Sequence, residues 1–260
     1  MSLGKLFGIE IRFDLSVFIV FALVVYSLGA ALFPRWHPTW GATLTWGTAF
    51  TAGVIFFASL LAHELSHSVV AKLRGIAVPR ITLFVFGGVS ELEREPDTPA
   101  TELLIAVAGP AMSAFLGFVF SWLGAALAGP SFADELLQDP EGAMAGLGPG
   151  ATLFLWLGPI NFVLALFNLI PGFPLDGGRV LRAVLWRISG DLVSATLWAS
   201  NAGRAFGWAL RGLGVLQAFG NNLMQGVWLL LIGWFLNNAA RQSYTQLLVR
   251  QAFEDLIVGN

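Results

Sequence analysis

The stretch "SLLAHELSHSVVAKLRG", Ser59 to Gly75, sets His63, Glu64 and His67 inside an apolar run. On a helix, residues four apart stack on one face, so His63 and His67 can turn two imidazoles toward one cation. Glu64, about 100° round, can lean over water beside that cation. This is the H-E-x-x-H pattern of zinc hydrolysis, two nitrogen ligands and a neighbouring base. The chain has only 3 His, and chance would produce the pattern on the order of once in a thousand such sequences. The competing reading, two buried histidines bonded to neighbouring helices, is the weaker one, because ionisable groups inside apolar segments are costly and usually functional. Ser59 and Ser66, on or near the same face, extend a polar stripe that could line a water-accessible cavity.

Two histidines leave a catalytic zinc site one ligand short, since such sites take three protein ligands and keep one position open. The absence of cysteine restricts the third to nitrogen or oxygen. His37, the third histidine, falls in a loop on the far side of the membrane by the charge argument below. Asp176, in "NLIPGFPLDGGR", fits better. Its segment runs in the same direction as that of His63, which lies nine residues before Lys72, about 13 Å from the charged end at 1.5 Å per residue. Pro171 and Pro174 break the helix and keep the chain near that depth. Read alone, Pro-Leu-Asp-Gly-Gly is a turn; beside a motif lacking a ligand, it is a ligand candidate.

The elements that hold these residues are membrane spans. The chain of 260 residues is 56% hydrophobic and 12% charged, with mean hydropathy +0.74, against roughly a quarter charged for soluble domains. Its net charge of -2 comes without a basic patch, so no nucleic-acid partner is expected. Apolar runs of about twenty residues, long enough to cross ~30 Å of hydrocarbon, lie at 14–33, 48–72, 101–128, 150–171, 194–218 and 222–240. The fifth contains Arg204 and Arg211, which must face a bundle interior or snorkel. The first is too long for a secretory signal and reads as an uncleaved span. Lys72, Arg74, Arg80 and Arg94 follow the second run, Arg179, Arg182 and Arg187 the fourth, and Arg241 and Arg250 the sixth. These mark the cytoplasmic side and place both termini there. Segment 129–149 has no Lys or Arg and carries Asp134, Glu135, Asp139 and Glu141, so it lies outside. The expected fold is an all-α polytopic membrane protein with about six transmembrane helices.

"AHELSHSVVA", "FVFGGVSELEREPDTPATELLIAVAGPAMS" and "NLIPGFPLDGGRVLRA" together resemble the site-2 protease family of intramembrane zinc metalloproteases, over about residues 8 to 240. The resemblance implies His63, His67 and Asp176 as ligands of one zinc ion per chain and Glu64 as catalytic acid/base. It also implies Asn168 at the position of an asparagine that helps bind substrate or stabilise the transition state. By residue type Asn168 serves equally well as an interhelical hydrogen-bonding group, and Asn161, one heptad earlier, reads as such. Where many members carry a histidine near the first span, this chain has Asp14, to which no site role is assigned. The six-span core is expected over 1–242. The tail 243–260, similar to the linker leading into paired CBS domains in some members, is expected to be cytoplasmic.

The expected activity is hydrolysis of peptide bonds within or near transmembrane segments of membrane proteins, in the lipid bilayer of a prokaryotic plasma membrane. A transmembrane substrate must unwind and find new partners for its backbone. The run "RITLFVFGGVSEL", Arg80 to Leu92, broken at Gly87-Gly88, reads as a small re-entrant β-hairpin. Its edge, at Phe84 or Val85, could receive substrate as an added strand; a purely structural hairpin is the alternative. Thr98 and Pro99 read as the cap and first residue of the third span. A zinc-binding transporter or channel is the rival function; it accounts for the histidines and leaves Glu64 without a task.

Overall fold

The computed structural model of the chain describes residues 2–84, 87–220 and 223–258. Strands β1 (Ser2–Leu6) and β2 (Ile9–Phe13) form an antiparallel hairpin turned at Phe7 and Gly8, both at positive φ, the backbone that two-residue hairpin turns require. β2 pairs in parallel with β3 (Arg80–Phe84), and β3 antiparallel with β4 (Gly87–Glu91). The small hairpin expected at 80–92 is thus half of a four-stranded sheet in the order β1-β2-β3-β4. β3, where the receiving edge was expected, is interior; among the described residues the edge on that side is β4. Phe84 is the last residue of β3, and Val85 lies outside the described residues.

Helix α1 (Leu15–Ser27) continues through a π-helical turn, Leu28–Leu32, and a last turn, Phe33–Trp36. Asp14 caps it: its Oδ1 accepts from the Ser16 N–H at 2.9 Å, and the bonds from Ser16, hydroxyl first, hold the Asp14 carboxyl below the usual carboxylate range. Then follow α2 (Ala42–Leu73), α3 (Pro99–Ala128), two short helices α4 (Phe132–Gln138) and α5 (Pro140–Ala145), α6 (Pro149–Asn168), α7 (Asp176–Ser189), α8 (Leu192–Phe219) and α9 (Leu223–Val258). Thr98 Oγ1 accepts from the Thr101 N–H and Pro99 opens α3, as expected.

Among the described residues, five helical segments are long and apolar enough to cross a membrane: Leu15–Trp36, Ala42–Leu73, Pro99–Ala128, Pro149–Asn168 and Leu223–Val249. The run expected as a fifth span, 194–218, forms the 28-residue helix α8, which is not among these five. Its arginines are satisfied locally: Arg204 Nη1 donates to Asn201 Oδ1 at 3.1 Å, and the Arg211 guanidinium lies 4.7 Å from the Trp208 ring centroid.

The chain divides into two compact units, residues 1–95 with 108–165, and residues 96–107 with 166–260. In the first, a core of Leu28, Phe33, Ala49, Ala52, Leu153 and Leu157 joins the two turns that continue α1 to α2 and α6. The inward faces of β2 and β3 are Ile9, Ile11, Ile81 and Leu83, none more than 2% exposed. In the second, Phe173, Ala199 and Ala240 pack together, and α8 meets α9 at glycines: a Cβ at Gly207 would stand 2.8 Å from the Gly233 carbonyl oxygen.

Candidate metal and catalytic centre

All three motif residues on α2 belong to the first unit and are buried, His63 at 2%, Glu64 at 9% and His67 at 5% exposure. The helix brings His63 Nε2 and His67 Nε2 to 3.2 Å of each other. Two nitrogens bound to one tetrahedral ion at about 2.05 Å would be about 3.3 Å apart, so the pair has the spacing of two ligands of one zinc. His63 Nδ1 lies 2.8 Å from Ser113 Oγ on α3. If Nε2 is the ligand, Nδ1 carries the proton and donates to that hydroxyl, which fixes both tautomer and ring orientation.

The space in front of the two rings is kept by a glycine. A Cβ at Gly109, one turn before Ser113 on α3, would sit 2.6 Å from His63 Nε2 and closer still to His67 Nε2. Both nitrogens that would hold an ion border that space. The buried imidazole pair, its spacing and the opening at Gly109 therefore fit a metal ion. Gly109 and Ser113 were not legible as site residues beforehand; the available signal was a glycine inside an apolar helical run with a serine four residues on.

Glu64 is pressed against the sheet. A Cβ at Gly88 would stand 2.5 Å from Glu64 Cδ and nearer its Cγ, and one turn along α2 the Ser68 hydroxyl donates to Ser90 Oγ at 3.0 Å. Gly88 and Ser90 face α2 from one side of β4 by the two-residue strand period. The edge strand thus runs past the carboxylate.

The other candidates fall elsewhere. Ser59 and Ser66 donate to the carbonyls of Ile55 and Ala62, at 2.9 and 2.8 Å, so their hydroxyl protons are spent on their own helix. Asn161 likewise donates to Leu157 at 2.8 Å, which is an intrahelical bond and not the interhelical one expected. His37 is buried, stacked on Trp40 at 3.9 Å, with Nε2 2.8 Å from Thr152 Oγ1; burial pushes its pKa below the ordinary histidine range. It is a structural histidine.

Asp176 and Asn168 belong to the second unit and are half-buried. Asn168 ends α6 and Asp176 opens α7. The turn reading of Asp-Gly-Gly is replaced by a helix start. A Cβ at Gly177 would strike the carbonyls of Leu169 and Ile170, and one at Gly178 the backbone of Gly172 and Phe173. The glycines are there because the preceding loop folds back over the first turn of α7.

The profile of peptidase family M50 matches residues 51–147 and 135–210, which hold both motifs. The chain belongs to peptidase family M50, the family of the site-2 proteases. The chain is similar to the candidate zinc metalloprotease Rip3 of Mycobacterium tuberculosis, 38% identical over 260 residues, 100% of this chain and 62% of Rip3. A candidate zinc metalloprotease of Synechocystis, sll0528, is 40% identical over 254 residues, 98% of this chain and 62% of the relative. The chain therefore spans about three fifths of the length of these curated relatives. Among solved structures it is similar to the site-2 protease from Methanocaldococcus jannaschii, with TM-score 0.61, 29% identity and 94% of each chain covered.

Proposed function

We propose that this M50 chain is an intramembrane zinc metalloprotease that hydrolyses peptide bonds within or near transmembrane segments of membrane-protein substrates. The observation that carries the reading is the pair of Nε2 atoms 3.2 Å apart, facing a space kept open by Gly109, with the Glu64 carboxylate on the same helical turn. The names of the relatives support it.

His63, His67 and Asp176 are the proposed ligands of one zinc per chain, two nitrogens and one oxygen that leave a fourth position open. Zinc held by these residues would supply Lewis-acid polarisation of the scissile carbonyl and a bound water of lowered pKa. Glu64 accepts the water proton and delivers it to the leaving amine nitrogen. Asn168 is proposed to hold the substrate backbone. The unwound substrate adds as a strand to the edge of β4, which carries its backbone past Glu64.

Elemental analysis and cleavage of a single-span test protein in detergent check these assignments. Purified protein should carry about one zinc, and Asp176→Ala should lose most of it, since a three-ligand site cannot spare one; full retention removes Asp176 from the site. Asn168→Ala should keep zinc and cleave more slowly, and normal cleavage ends its role. Proline at Val89 or Ser90 should slow cleavage with zinc in place at whichever residue points its N–H outward; normal rates for both sink strand addition at β4.

The proposed topology has six spans within 1–242, α8 included, with both termini and the tail 243–260 on the cytoplasmic side of a prokaryotic plasma membrane. The distribution of Lys and Arg supports it. Because the chain has no cysteine, single cysteines report cleanly. One at the exposed Gly146 should react with an impermeant thiol reagent from outside, and one at the exposed Asp97 only after permeabilisation. The opposite pattern reverses the orientation.

A further inference from the structure

Within the second unit a buried ion pair grips the helix that begins at Asp176. Glu102, on the first turn of α3, is 0% exposed and Arg182 of α7 is 6% exposed. Arg182 Nε donates to Glu102 Oε1 at 2.7 Å, Nη2 donates to the same oxygen, and Arg179 Nε lies 3.7 Å from it. The Arg182 guanidinium also covers the Phe173 ring, 5.3 Å from its centroid. Phe173 belongs to the loop that leads into Asp176. That loop is seated backbone to backbone on α8: the Phe173 N–H donates to the Ala199 carbonyl at 3.2 Å, and a Cβ at Gly172 would stand 2.5 Å from Gly203 Cα.

One carboxylate thus holds two arginines on one face of α7, three and six residues after Asp176, while one of those arginines clamps the residue three before it. We propose that Glu102 is a positioning residue for Asp176, acting through Arg182 and Arg179 to fix where α7 starts and hence where the Asp176 carboxylate stands. A buried ion pair is a poor source of net stability, because desolvation offsets most of its attraction, and apolar replacements of both partners are often tolerated. It is directional, however, and groups that orient a metal ligand typically change metal affinity by 10–100-fold.

The inference rests on Asp176 being a ligand, as proposed above, and the test keeps the two separate. Zinc affinity is measured by chelator competition on purified protein in detergent, for Glu102→Leu combined with Arg182→Met, in the wild-type and Asp176→Ala backgrounds. Replacing both partners takes the carboxylate from Arg179 alone, whose side chain is 21% exposed and can turn to water, so no fully buried charge is left unpaired, the fold is retained and only the directional tie is lost. The expected result is about tenfold weaker zinc in the first background and no further loss in the second. Unchanged affinity in the wild-type background, or an equal loss in both, overturns the inference while leaving Asp176 a ligand. Equal affinity of wild type and Asp176→Ala overturns the ligand assignment and the inference with it. Should the paired replacement elute aggregated, Arg182→Lys, which keeps the charge and loses the two-nitrogen contact, is read in the same two backgrounds with the same outcomes.

Discussion

Gly109→Ala is expected to empty the metal centre while leaving the protein folded. The added methyl would stand 2.6 Å from His63 Nε2 and closer to His67 Nε2, against both nitrogens that an ion must reach at about 2.0–2.1 Å. Stability should change little. Alanine is better than glycine in a helix interior by about 1 kcal/mol, and overpacking costs about 1–3 kcal/mol, so the two effects partly offset. Zinc is affected more strongly, because the methyl stands against both nitrogens that would hold it and displaces them from a shared ion. Elemental analysis should fall from about one zinc per chain to near zero, with the melting temperature shifted by only a few degrees. Gly117→Ala is the control: on the same helix, its Cβ would meet the Phe162 ring at 3.0 Å, and it should keep its zinc. Retention of zinc by Gly109→Ala would mean that the two imidazoles do not share an ion.

The histidine pair and Glu64 were legible because one helix carries all three, and the 3.6-residue period alone decides which residues share a face. Gly109, Ser113 and Gly88 were not, because their roles depend on the register of α3 and β4 against α2, which no local pattern encodes. The same distinction separates the fold features. The runs that became α1, α2, α3 and α6 announce themselves by length and apolarity. The sheet was read only in half: Ile9 and Ile11 alternate with Glu10 and Arg12 as a strand should, but a five-residue strand beside a span is a faint signal. Helix α7 was missed because Pro171, Pro174, Gly177 and Gly178 look like turn chemistry, whereas the glycines serve the loop that lies over the helix. The tail after 242 continues α9 through Val258; "RQSYTQLLVRQAFEDLIV" has no Gly or Pro and keeps apolar residues three and four apart, so nothing in it ends a helix.

Glu64→Gln is expected to keep zinc and fold yet lose cleavage by 10²–10⁴-fold, the usual contribution of a general base. Glutamine preserves the shape that packs against Gly88, where a Cβ would already stand 2.5 Å from Glu64 Cδ, so the sheet and the imidazole pair stay in place. What changes is the proton. An amide cannot take one from the attacking water or return it to the leaving nitrogen, and no other step needs a charge at residue 64. Wild type and variant are incubated in liposomes with single-span membrane proteins whose helices carry a destabilising Gly or Pro, and zinc flux is recorded on the same vesicles. Cleavage by wild type alone, without flux, is the result expected of the protease. Robust zinc flux without cleavage of any test protein would favour an ion-conducting role for the same histidines. Equal cleavage by Glu64→Gln would remove Glu64 from the proton transfer, because nothing in its packing could compensate for the lost base.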